Sequence, residues 1–352
     1  MSENSHASFS RELSQSRQMI YGFCALWLML FHARVKIPST GAWMLPSLFQ
    51  RLGNCSVDIF LLLSAFGLYG SLTRNPDIGR FYVRRLQRVL LPSFIVMALY
   101  AGFTVEGTKP YMASMTFLPY WFGYETLWFV AFILTAYLVY PLLFRLQKRQ
   151  PAALWVLFAL SIVVAIWLGR GDRLKANALD LSVRRFPVFL LGCILAPKIH
   201  HSEASLGRLA LLASLLVGAL ALAAVLLTHP EETQRYWILA ICYIPISIAV
   251  LHLLMLLARV MLRLGPMGRF AYKCLAFCGG FSLECYLLFR RFNNILWKAL
   301  PGGIALRSLR ADWLAALCTL LAGFLLSRLC DAIIRAFGAV GLPGAGNEQP
   351  RR

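Results

Sequence analysis

Acidic residues are scarce in this chain: 15 Asp and Glu stand against 35 Lys and Arg, a formal net charge of +20 over 352 residues. Such an excess would suit a nucleic-acid partner if it formed one patch. The basic residues instead fall in the short gaps between apolar stretches, the distribution by which membrane proteins set their orientation, so nucleic-acid binding is not expected. Charge of either sign is also thin, at 14% of residues, while 59% are hydrophobic and the mean hydropathy is +0.66. That composition excludes a soluble domain with a solvated surface.

Other absences narrow the field further. The nine cysteines lie almost all within apolar runs, without the CxxC pairs of a zinc site or the spacing of a disulfide framework. They read as small apolar filler, and no metal is expected. Ser64 sits in Leu63-Ser64-Ala65, which lacks the flanking glycines of a nucleophile elbow, so a serine hydrolase of that kind is not expected. No small-residue cleavage site follows the polar opening, and residues 1–15 read as a polar cytoplasmic tail rather than a removable signal. No long soluble linker and no internal repeat interrupt residues 16–337, which read as one transmembrane domain, with 338–352 as a disordered tail.

What the chain has in quantity is apolar runs of membrane-spanning length, at 18–35, 55–73, 89–105, 126–144, 152–169, 186–199, 208–228, 236–258, 270–289 and 311–337. The expectation is an all-α polytopic membrane protein, about ten transmembrane helices in a single bundle. The sixth run is short, and the ninth is interrupted by Lys273, Gly279-Gly280 and Glu284. Arg74, Arg80, Arg84, Arg85 and Arg88 after the second run, and Arg145, Lys148 and Arg149 after the fourth, place those connections and both termini in the cytoplasm. Arg170, Arg173, Lys175, Arg184 and Arg185, and then Arg290, Arg291, Lys298, Arg307 and Arg310, oppose that assignment, since they fall in connections it puts outside.

Ionisable residues inside the runs carry the chemistry. His32 closes the first run and Asp58 lies in the second. A charged side chain at bilayer depth costs roughly 2.5 kcal/mol or more, so it is kept for a task or paired within the bundle. A carboxylate near the imidazole would fix its tautomer and leave the other ring nitrogen to take a proton from a hydroxyl. The plain alternatives are a packing hydrogen bond for His32 and a helix cap for Asp58. As a helix, residues 79–88 align Arg80, Arg84 and Arg88 with Arg85 beside them, a guanidinium stripe suited either to the phosphates of a donor such as coenzyme A or to anionic lipid head groups. Glu125 and Trp128 stand in an aromatic stretch that fits a sugar face or an interfacial belt. Glu284 reads as structural glue for Lys273 or Arg290.

These residues resemble the membrane acyltransferase family 3. The resemblance rests on Leu30-Phe31-His32, then Ser56-Val57-Asp58-Ile59-Phe60-Leu61-Leu62-Leu63-Ser64-Ala65-Phe66-Gly67-Leu68, then Phe81-Tyr82-Val83-Arg84-Arg85-Leu86-Gln87-Arg88, in the family's order. Later landmarks are Thr126-Leu127-Trp128-Phe129-Val130, Arg185-Phe186-Pro187 and Ser282-Leu283-Glu284-Cys285-Tyr286. The resemblance implies an inner-membrane enzyme that takes an acyl group, most often acetyl, from cytoplasmic acetyl-CoA to a hydroxyl of a sugar, surface polysaccharide or glycolipid precursor. His32 matches the family's essential histidine, as base or acyl carrier, with Asp58 supporting it. Arg84, Arg85 and Arg88, with Tyr82, match the basic motif and imply binding of acyl-CoA, while Glu125 and Trp128 become candidates for the carbohydrate acceptor.

Two departures accompany the match. Many members carry arginine eleven positions before the histidine, where this chain has Tyr21; Arg17 lies four residues further back, about 6 Å along a helix, and substitutes if its side chain reaches in. Many members also end the Ser-Leu-Glu-x-Tyr-Leu-x motif with histidine, where this chain has Phe289. A transporter or flippase of a glycolipid or small acid, built on the same intramembrane His, Asp and Glu, is the rival reading, and a non-catalytic paralogue in polysaccharide assembly a third. Oligomeric state is not legible.

Overall fold

The computed structural model describes residues 9–103, 117–121, 127–169, 179–201, 208–228 and 236–341. Helices account for nearly all of them, and no strand occurs among the described residues. In hydrocarbon every backbone N–H and C=O must find its partner within its own segment, which a helix provides. In chain order they are α1 (Phe9–His32), α2 (Met44–Leu52), α3 (Cys55–Arg74), α4 (Ile78–Phe103), α5 (Trp128–Arg149), α6 (Pro151–Gly169), α7 (Leu179–His201), α8 (Arg208–Thr228), α9 (Tyr236–Arg263), α10 (Gly265–Gly279), α11 (Ser282–Ala299) and α12 (Ile304–Gly341).

Helix α3 forms the centre: Ile59, Leu61, Leu62, Leu63, Ala65 and Leu68 are all but sealed from outside. It runs beside α7, where Gly192 is close enough that a Cβ would sit 2.8 Å from that of Ala65. Helices α6, α8 and α12 form the rim, with apolar stripes turned outward, such as Trp313, Leu317, Leu321 and Leu325 on one face of α12. Those stripes suit contact with lipid chains. The short α2 is amphipathic: Met44, Leu45 and Phe49 are exposed while Ser47 and Gln50 are buried, the pattern of a helix lying in the membrane interface.

Among the described residues, six stretches are long and apolar enough to cross a membrane: Gly41–Arg74, Trp128–Arg149, Pro151–Leu168, Leu209–Thr228, Ile238–Arg263 and Ile304–Ala336. About ten were expected. Helices α1, α4, α7 and α11 fall outside the six, and each carries charged residues along its length: Arg17, Arg85 and Arg88, Arg185, and Glu284 with Arg290. The boundaries shift for the same reason. The run at 186–199 is the apolar part of a helix that begins at Leu179 and includes Arg184 and Arg185, and the run at 89–105 belongs to a helix that already starts at Ile78. Helix α1 starts at Phe9, so residues 9–15, expected as tail, are its first turns.

The interrupted ninth run is two helices. Gly279 ends α10 because it packs against α1: a Cβ there would meet the Gln18 carbonyl oxygen at 1.9 Å, and one at Gly22 would meet that of Leu275 at 1.8 Å. The two backbones touch, and α11 restarts at Ser282.

The contacts define two ends of the bundle. At one, Arg259 of α9 donates to Glu12 of α1, and Tyr69 of α3 meets His201 of α7 at 3.1 Å. At the other, Arg34 bonds Asn293 and Asn294 of α11, and Asp312 of α12 takes the amides of Arg34 and Val35. Helix α1 runs from the first end to the second and stops at His32.

Candidate functional site

Helix α4 turns Phe81, Arg85 and Val89 inward, at i, i+4 and i+8, with Phe81 and Val89 buried in the core, and Arg88, itself exposed, adds to the cavity wall at i+7. This divides the basic stripe differently from the row of Arg80, Arg84 and Arg88 read in the sequence. Arg80 is exposed and pairs with Asp77 at 3.2 Å, and Arg84 is exposed and bonds the carbonyl of Arg80. Tyr82 also stands away from the cavity, its hydroxyl donating to the carbonyl of Leu138 on α5 at 2.8 Å. Of the four expected donor-binding residues the structure brings Arg85 and Arg88 to the cavity and leaves Arg84 and Tyr82 outside it.

That cavity, of about 320 Å³, has Arg17, Tyr21, Arg85, Arg88, Tyr137 and Glu284 in its walls. Arg17 reaches in from one turn below Tyr21, its Nε and Nη2 donating to the Tyr21 hydroxyl at 3.1 and 2.9 Å. The pair thus supplies the positive charge that Tyr21 alone lacks. Gly67 makes room for it, since a Cβ there would lie 2.6 Å from Arg17 Nη2. Arg85 donates to the Gly67 carbonyl at 3.3 Å. A second cavity of about 220 Å³ shares Arg17 and Arg85 and continues to Arg74 and His200. Two guanidiniums therefore stand at the junction of two compartments, a setting for an extended polyanion, because arginine forks take phosphate oxygens in pairs.

His32 lines a third, small cavity of about 20 Å³ with Phe289 and Arg290, and its remaining walls include Leu28, Ser282 and Tyr286, which also wall the large cavity. The ring packs edge-on against Phe31 at 4.9 Å and makes no hydrogen bond to the described residues, leaving both nitrogens for a substrate. Its position is fixed through the backbone. Buried Gln50 donates from Nε2 to the carbonyls of Leu30 and Val35, at 3.0 and 2.9 Å, and accepts at Oε1 from the amide of Ile37 at 2.9 Å. Nothing in the sequence pattern singled Gln50 out. Phe289, where many family members were expected to carry histidine, is buried beside His32.

Asp58 does not meet His32 among the described contacts. Its Oδ1 accepts from Arg185 Nη1 at 2.8 Å, with both side chains nearly inaccessible, and Arg185 Nη2 donates to Asn54 Oδ1 at 2.6 Å. The reason is charge: a carboxylate in the first turn of the most enclosed helix needs a countercharge, and α7 packs alongside to supply one. Trp128 belongs to this group, its ring 5.4 Å from the Arg185 guanidinium. Glu125 lies outside the described residues. Glu284, expected as glue, makes no ion pair with Lys273 or Arg290 and instead faces the large cavity with Arg88. An arginine pair ahead of an apolar run was the available signal for Arg185, and a carboxylate inside such a run for Glu284.

Neither a curated protein nor a solved structure matches the chain. An acyltransferase-domain family model matches residues 21–331, nearly the whole helical bundle. On that match the chain belongs to the membrane acyltransferase family 3, as its motifs around His32, Asp58 and Arg85 led one to expect.

Proposed function

We propose that this acyltransferase is an integral-membrane O-acetyltransferase that moves an acetyl group from acetyl-CoA to a hydroxyl of a sugar or surface-polysaccharide precursor. Arg17, Arg85 and Arg88 hold the donor's phosphates, with Arg74 and His200 along the outer compartment. The pantetheine arm then runs past Leu28 and Tyr286 toward His32. The imidazole takes the proton of the acceptor hydroxyl, whose oxygen attacks the thioester carbonyl. The C–S bond breaks, an ester C–O bond forms, and the coenzyme A thiolate leaves and takes up the proton from the imidazolium. We place the basic compartments on the cytoplasmic side of the bacterial inner membrane, where the donor is made, and both termini with them.

The single observation that carries this reading is the set of shared walls, Leu28, Ser282 and Tyr286, between the arginine-lined cavity and the cavity of His32. Two chemically distinct places, one for a polyanion and one for proton transfer, are thereby neighbours. The test is transfer of labelled acetyl from acetyl-CoA to carbohydrate by membranes holding the protein. His32→Ala should abolish transfer with insertion intact, and undiminished transfer by that variant would overturn the proposal.

A further inference from the structure

The end of the bundle that carries His32 holds more positive charge than its architecture uses. Arg185 is neutralised by Asp58, and the Arg34 and Arg307 guanidiniums lie over the Trp297 ring, at 4.7 and 5.2 Å. The carboxylate of Asp312 is occupied by the amides of Arg34 and Val35 and by Asn293. Next to His32, Lys36 and Arg290 remain, while Lys298 and Arg310 stand elsewhere on α11 and α12. Lys36 is exposed, and its ammonium makes one hydrogen bond, to the carbonyl of Phe31 at 2.7 Å, leaving two donors. Arg290 is exposed at the rim of the His32 cavity and has no hydrogen bond or ion pair among the described residues.

The two cations therefore stand near the imidazole, Lys36 tied to the residue before it in the chain and Arg290 in the wall of its cavity. Neither forms an ion pair with a carboxylate among the described residues, and Asp312 acts on Lys36 only at longer range. In the orientation proposed above, they also stand on the face where the rule governing membrane topology disfavours basic residues, so their retention has an expense that orientation does not explain. Cations beside a site for a hydroxyl steer and orient a substrate that is itself charged, and a guanidinium does so with a paired geometry.

We propose that the acceptor is an anionic sugar, bearing a carboxylate or a phosphate, which Lys36 and Arg290 grip so that a neighbouring hydroxyl meets His32. This inference rests on the acyl-transfer reading and goes further by naming the acceptor's class. A neutral sugar would leave both cations unanswered at the mouth of the site.

The experiment uses native membranes containing the full chain and their own acceptors, supplied with labelled acetyl-CoA. Glycan is freed from lipid by mild acid and passed over an anion exchanger. The expected result is protein-dependent label in the retained fraction. Carbodiimide and borohydride reduction of that fraction separates the sources: retention is lost for a carboxylated sugar and kept for a phosphorylated one. In parallel, Lys36→Gln and Arg290→Gln should each raise the Michaelis constant for the acceptor about tenfold, leaving that for acetyl-CoA in place. Label in the neutral fraction, a shift in the donor constant instead, or no shift in either, as for cations that hold only lipid head groups, overturns the inference while the acyltransferase reading stands. Absence of any protein-dependent label in carbohydrate overturns both.

Discussion

An imidazole serves as a base only when its ring is held in place without being occupied by its neighbours, and at His32 the holding is done by the backbone on either side. Gln50 binds Leu30, Val35 and Ile37 at once. Gln50→Leu strands the Val35 carbonyl and the Ile37 amide, each worth about 1–3 kcal/mol when buried without a partner, and leaves the Leu30 carbonyl only its bond from the Ala33 amide. The expected outcome is a fall in kcat with little change in the Michaelis constant for acetyl-CoA, and partial recovery in Gln50→Glu, which keeps the acceptor for Ile37; equal loss in both constants would reduce Gln50 to a general fold contact. The Asp58–Arg185 pair makes a second prediction. Removing one member leaves a buried charge uncompensated, at about 3–5 kcal/mol, whereas replacing both with apolar residues of similar volume is close to neutral. Asp58→Asn or Arg185→Gln alone should lower the melting temperature in detergent, and Asp58→Leu with Arg185→Met should restore it. Restored stability with restored transfer would separate Asp58 from the chemistry of His32; restored stability without transfer would return it there.

At the scale of the helix, what was legible in the sequence was composition and order, and what was not was rotation. The runs at 55–73, 208–228 and 236–258 emerge as helices within a few residues, because apolar length is all they need. The stripe on α4 was harder, since residues 80, 84 and 88 and residues 81, 85, 88 and 89 are both helical rows, and only the burial of Phe81 selects the second. Pairing across helices was out of reach altogether: the reading offered Asp58 as support for His32 or as a helix cap, and the fold gives it to Arg185, 127 positions away. The selected row is testable. Arg85→Gln and Arg88→Gln should raise the Michaelis constant for acetyl-CoA about tenfold or more, and Arg84→Gln should leave it alone, which a flat lipid-anchoring stripe would not distinguish. The break in the ninth run was visible as Gly279-Gly280, but its purpose is the contact of α10 with α1. Gly22→Ala forces a Cβ into the Leu275 carbonyl, so a loss of at least the 1–3 kcal/mol typical of overpacking, about that figure or beyond, should appear as a lowered melting temperature.

The whole molecule joins two ends with unlike demands. One end presents the compartments of Arg17, Arg74 and Arg85, and the other presents His32 with Lys36 and Arg290, and α1 spans the distance between them. Because basic residues crowd both ends, counting charge cannot decide which one faces the cytoplasm; the proposed donor does, since coenzyme A made inside the cell would have to reach the arginine compartments. Ser39 is exposed at the His32 end and Gln150 at the other, just past α5. In a chain whose exposed Cys274 is replaced by Ala, Gln150→Cys should react with a membrane-impermeant maleimide in inverted vesicles and stay unlabelled in intact spheroplasts, with Ser39→Cys behaving in the opposite way. Labelling of both from one side would mean that α1 does not carry the chain across. A complete reversal would set the arginine compartments outside, beyond the reach of the donor, and the division of labour between the two ends would have to be inverted.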